Sequence, residues 1–73
     1  MNKVEYRFKP EDTVWCMMAD KPREGKVSEV KILINANKID IGYFINSHGR
    51  MEFKSDKEVG STKEELFKLL ENL

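Results

Sequence analysis

Cys16 and His48 are the chain's single thiol and single imidazole, the two groups that a cysteine nucleophile and its base would need. Cys16 lies inside an apolar run, where a cysteine usually serves as a small hydrophobe. His48 lies in the stretch Asn46-Ser47-His48-Gly49, which reads as a hairpin turn exposed to water. No base stands near Cys16 in sequence. Glu64 and Glu65 form an adjacent carboxylate pair of the kind that does acid–base work. They follow Ser61 and Thr62, however, and helix capping accounts for both without a substrate. One cysteine and one histidine cannot make a zinc site of the usual spacing. These residues point away from an enzyme and imply no metal and no cofactor.

Binding chemistry has more material. Lys21, Arg23 and Lys26 cluster around Pro22 and Gly25, and Arg50 joins them if the turn at 46–49 folds nearby. Such a cluster suits a phosphate or an acidic partner. Asp20 and Glu24 lie within it, and a solvated charged loop is the plain alternative. Trp15 beside that loop would give a ligand groove an aromatic wall, the alternative being a core or half-core tryptophan after Val14. Tyr43 and Phe44 are neighbours, so in a strand they face opposite sides. Phe44 breaks the polar parity of its stretch and is the candidate for an exposed contact, unless the C-terminal helix covers it through Phe67 or Leu70. Trp15, Lys21, Arg23, Lys26, Phe44 and Arg50 together make the candidate binding face.

Short strands must position these groups. The organising unit runs from Thr13 to Ile34. Thr13 to Ala19 is apolar on both parities and suits a strand covered on both faces, a short buried helix being the competing reading. Asp20 to Gly25 reads as a loop. A long strand follows, and its apolar phase slips between Val27 and the run Val30, Ile32, Ile34, as a bulge or sharp bend would produce. Asn35-Ala36-Asn37 is a turn, since Asn tolerates positive φ. Lys38 to Asn46 alternates, with Ile39, Ile41, Tyr43 and Ile45 on one face. Arg50 to Lys54 alternates with Met51 and Phe53 inward.

At the ends of the chain, Lys3 to Lys9 has the period of a half-buried strand, stopped by Pro10 and followed by a turn at Glu11-Asp12. One short closing strand fits around Glu58 to Gly60. From Ser61 the period becomes helical. Ser61 with Glu64 and Thr62 with Glu65 are two overlapping capping boxes, and Leu66, Phe67, Leu69, Leu70 and Leu73 form a stripe. A helix from about Thr62 to Asn72 is too short to stand alone and must dock.

Length and charge bound the remainder. Seventy-three residues make one domain with a small core. Thirteen basic residues balance thirteen acidic ones, which argues against a general nucleic-acid coat. No apolar run reaches the roughly 20 residues that span a bilayer, and the start has no apolar segment of signal-peptide length. A cytoplasmic protein with no membrane contact is expected.

The order of elements resembles an SH3-like small barrel. Asp12-Thr-Val-Trp15, Gly25-Lys-Val27, Gly42-Tyr43 and Ser61-Thr-Lys-Glu-Glu-Leu66 are together similar to a group of small, uncharacterised bacterial and phage proteins. That pattern has Gly before Asp, where this chain has Glu11. Lys21-Pro-Arg-Glu-Gly-Lys-Val27 also matches half of the KOW motif of ribosomal and transcription-elongation proteins. The resemblance implies a mainly β fold, an SH3-like barrel of about five strands with one C-terminal α-helix. It also implies an accessory role. The expected function is a non-enzymatic interaction module binding a protein partner, as a monomer or weak homodimer. The rival is a nucleic-acid-binding accessory module that uses the same basic loop and aromatics, with weak, salt-sensitive affinity.

Overall fold

A computed structural model describes residues 6–71 of the chain. Those residues form four strands, a 3₁₀ turn and one α-helix. Strand β1 is Thr13–Met18, β2 is Lys21–Asn35, β3 is Lys38–Ser47 and β4 is Arg50–Ser55. Asp56–Glu58 makes the 3₁₀ turn and α1 is Lys63–Glu71. The strands lie in one open antiparallel sheet in chain order, β1-β2-β3-β4. The protein is mainly β with a C-terminal helix. Of the expected closing strand, a single bridge is present, in which Trp15 N donates to Gly60 O at 2.8 Å and Gly60 N to Trp15 O at 2.9 Å.

The expected loop from Asp20 to Gly25 is instead the first third of β2. Only Ala19 and Asp20 turn the chain, and both have positive φ, 52° and 63°. Pro22 is tolerated because of where it falls in the ladder. Met18 faces Lys21 across the turn as a hydrogen-bonded pair, so the next pair, Met17 and Pro22, turns its backbone groups away from one another. Pro22 therefore withholds its missing N–H from the outer edge, where β3 has not yet begun to pair. Gly25 is needed for close approach, since a Cβ there would stand 2.8 Å from Asn46 O and from the Ile45 side chain. The register of β2 on β3 shifts between Val27 and Glu29, where the apolar phase changes.

The core lies on one face of the sheet. Val14, Cys16, Met18, Val27, Tyr43 and Ile45 point into it and are buried. Phe8 and Val59 complete the cluster from outside the sheet, and Leu66 of α1 is also buried. Phe8 meets the Tyr43 ring edge-on at 5.5 Å. The expected strand over Lys3 to Lys9 is absent from its described part, where residues 6–9 are irregular; Lys3 to Glu5 lie outside the described residues, as do Asn72 of the expected helix and Leu73 of its stripe. Arg7 explains the irregularity. Its N–H donates to the Tyr43 hydroxyl, and its guanidinium donates to Asp56 Oδ1, to Glu65 Oε1 and to the carbonyls of Asp56 and Val59. With its backbone N–H given to the Tyr43 side chain, Arg7 has no donor left for a strand ladder.

Of the two capping boxes, Thr62 forms half of one. Its hydroxyl accepts from Glu65 N at 3.1 Å, while the Glu65 carboxylate reaches back to the Ser61 N–H and hydroxyl rather than to Thr62. Leu66 is buried and Leu69 and Leu70 are half-buried, but Phe67 is exposed, so the docked stripe is narrower than expected.

Candidate functional site

Cross-strand neighbours share a face, so the register sorts the six candidate residues. Lys21 and Arg23 stand opposite Met18 and Cys16 and extend the core face to its rim. Lys26 stands opposite Asn46 on the other face. Arg50 pairs with buried Ser47 at the β3–β4 turn. The cations are thus not one continuous stripe. Four candidates nonetheless gather around Ser47 and His48. One hollow there is lined by Arg23, Arg50 and Met18, the next by Trp15, Arg23 and Glu24, and a third by Lys26, Glu24 and Asn46. The buried Ser47 hydroxyl donates to Glu24 O at 2.8 Å and holds the turn against β2. The turn itself has positive φ at His48 and Gly49. Trp15 is half-buried, with Lys63 Nζ 6.0 Å from its ring. Lys21 does not line any of these hollows.

Phe44 lies elsewhere. It is half-buried on the outer face of the sheet, covered by Phe53 at 5.1 Å between ring centres and flanked by Lys31 Nζ at 6.0 Å. Met51 and Phe53 were expected inward, and the register puts them on that outer face, both exposed. Alternation shows that the two share a face without saying which one. Here the Phe53 ring occupies the space over Gly42, where a Cβ would stand 2.1 Å from it. The inward positions of β4 hold Glu52 and Lys54, 3.3 Å apart. The Lys54 bond holds the Glu52 carboxyl below the usual range. Arg50 Nε lies 2.6 Å from Glu52 Oε2 without the alignment of a hydrogen bond, and that oxygen is buried with none.

A second region is apolar by sequence pattern and is open to solvent. Pairing with β1 ends at Lys26 and pairing with β4 begins at Gly42, so β2 and β3 continue past both neighbours as a two-stranded ribbon. Val30, Ile32, Ile34, Ile39 and Ile41 share the ribbon's core-side face. Toward the tip they leave cover altogether: Ile39 is 47% exposed and Ile34 69%. Where β4 departs from β3 at Ser55, a notch of about 320 Å³ opens beside an edge of β3 that is unpaired among the described residues. Leu33, Ile39, Ile41 and Phe53 supply its apolar wall, and Asp40, Asp56 and Lys57 its polar rim. An amphipathic pattern marks such positions as apolar but cannot say where the covering layer ends.

The fold does not bring the chain's thiol and imidazole into one site. Burial pushes the Cys16 thiol up, away from the reactive thiolate, and Cys16 sits in the core while His48 is exposed on a turn. Among the described residues no group of three metal-type ligands comes together, and no helix is long and apolar enough to cross a membrane. Comparison with protein-family models, with curated proteins and with solved structures finds no match.

Proposed function

We propose that the chain is a non-enzymatic interaction module that takes a protein partner at the ribbon of β2 and β3. The observation that carries this reading is the unpaired edge of β3 beside an apolar notch, with Ile39 and Phe53 exposed at its mouth. An open edge supplies backbone donors and acceptors, and a neighbouring pocket supplies side-chain selectivity, the two components of strand addition. We read the fold more finely as an SH3-like small barrel. The meander, the 3₁₀ turn after β4 and the return of Gly60 to β1 support that reading.

Capture from a lysate by the immobilised protein, with and without nuclease, tests the function. A protein retained after nuclease treatment and lost with Ile39→Asp supports it. Retention that nuclease abolishes overturns it. The rival reading, nucleic-acid binding, is favoured by the gathering of Trp15, Arg23, Lys26 and Arg50 around His48. Glu24 lines two of those three hollows and Asp20 stands at the adjoining turn, so affinity should be low. Submicromolar binding of DNA or RNA at physiological salt, weakened by Arg23→Glu, would put that reading first.

A further inference from the structure

We infer that the partner fitted by the β3 edge is a second copy of this chain, paired antiparallel through residues 37–41 about a twofold axis at Ile39. The inference rests on the protein-binding reading above and names its occupant. Three features of the edge select it.

The first is the phase of the hydrogen bonds. Asn35 and Lys38 flank the tight turn at Ala36-Asn37 and face one another as a bonded pair. Bonded and non-bonded pairs alternate along an antiparallel ladder. Ile39 and Ile41 therefore turn their N–H and C=O groups away from β2, toward the free edge. With Ile39 opposite Ile39 of the second copy, those groups exchange as a bonded pair. The ladder of β1 and β2 obeys the same phase, since Trp15 turns its backbone groups outward and meets Gly60.

The second feature is charge. In this register Lys38 stands opposite Asp40 of the second copy, and symmetry repeats the pair. Sliding two residues one way sets Lys38 against Lys38, and sliding two the other way sets Asp40 against Asp40. A slide of one residue would put the apolar side chains of one copy on the wrong face. Of the neighbouring registers, only the one centred on Ile39 opposes unlike charges.

The third feature is length. In that register Asn37 of the second copy reaches Ile41. The next position along β3, Gly42, is already paired with Ser55. The incoming ribbon thus ends where the pairing of β3 with β4 starts, with its tip at the notch bordered by Ser55, Asp56 and Lys57. The core-side faces of the two ribbons then meet through Ile39 and its neighbours Ile34 and Ile41, on a seam of a few residues per copy. An edge this short makes a weak, concentration-dependent dimer.

Analytical ultracentrifugation of the full chain over a concentration series provides the test. The proteins are wild type, Lys38→Asp, Asp40→Lys, the double exchange, and a one-to-one mixture of the two single variants. Wild type should dimerise, and each single variant should weaken self-association by roughly tenfold or more. The double exchange should recover it. The mixture should form a mixed dimer, although each component stays monomeric alone. That last result cannot come from loss of the Lys38–Asp40 pair within one chain (3.7 Å), because both components lack it. Thermal melting of each variant confirms that it is folded. A wild type that stays monomeric throughout, or a dimer insensitive to both single changes, overturns the inference. A monomeric wild type that still captures a protein through Ile39 overturns the second copy alone and leaves the protein-binding reading standing.

Discussion

Truncation of Leu66 to alanine probes the contact that seats the helix. Leu66 is fully buried, the one residue of α1 with no exposure. Removing three carbons forfeits about 2.4 kcal/mol of transfer free energy. The cavity left behind raises the cost to about 2.7–5 kcal/mol. A domain of 73 residues has a total stability of about 4–11 kcal/mol. The substitution should therefore remove about a quarter of it or more. At about 4–8 °C per kcal/mol, the melting temperature falls by about 10 °C or more. Circular dichroism at 222 nm against temperature measures this, with urea titration to check that the slope is unchanged. Phe67→Ala is the control: that ring is 43% exposed and should cost under about 1 kcal/mol. If Leu66→Ala melts within about 3 °C of wild type, the helix contributes little to the fold and the packing argument is wrong.

Three further outcomes follow from single residues. Glu11 holds a φ of 81°, where a side chain is strained and glycine is not, and Glu11→Gly should raise stability by up to about 1 kcal/mol in thermal melts. Burial and the Asp56 hydrogen bond, 2.7 Å from its hydroxyl, push Tyr43 up to about 12. Its stability contribution is complete below the ordinary tyrosine value of about 10 and lost as pH rises toward about 12, so Tyr43→Phe should flatten alkaline unfolding. Hydrogen bonds from Ser61, with Arg7 alongside, hold Glu65 below the usual glutamate value. That contribution is present above a pH of about 4.3 and lost as pH falls through the lowered value, so Glu65→Gln should destabilise at neutral pH and flatten acid unfolding, followed by circular dichroism.

What the sequence made legible was local. The bulge could be read because Val27 and Val30 both require the core face and lie an odd number of residues apart. The helix could be read from its cap and its period. Pro22 and Gly25 misled, because both residue types mark loops more often than strands, and the ladder phase that admits Pro22 is set by the turn at Ala19-Asp20 rather than by Pro22 itself. Met51 and Phe53 misled for another reason. Alternation fixes a pair of faces, and only the partner strand decides which face is covered. The candidate site divided along the same line. Trp15, Arg23, Lys26 and Arg50 do approach one another, although they come from different strands and from both faces. The ribbon of β2 and β3 was hidden, because Ile32, Ile34 and Ile39 look like core residues until β1 and β4 are seen to stop short.

The route by which the ends of the chain are joined has a kinetic consequence. Every strand pairs with its successor, so the sheet can assemble through short hairpin closures that cost little chain entropy. Among the described residues, the links between segments far apart in the sequence do not share that economy: Trp15 with Gly60, and Arg7 with Asp56, Val59 and Glu65. These should form after the hairpins. Trp15 is the only indole and sits at one of these links. Its fluorescence therefore reports the late joining step, while the far-ultraviolet signal reports the sheet. In stopped-flow refolding the indole signal should lag the sheet signal, and Arg7→Ala should slow the indole phase more than the other.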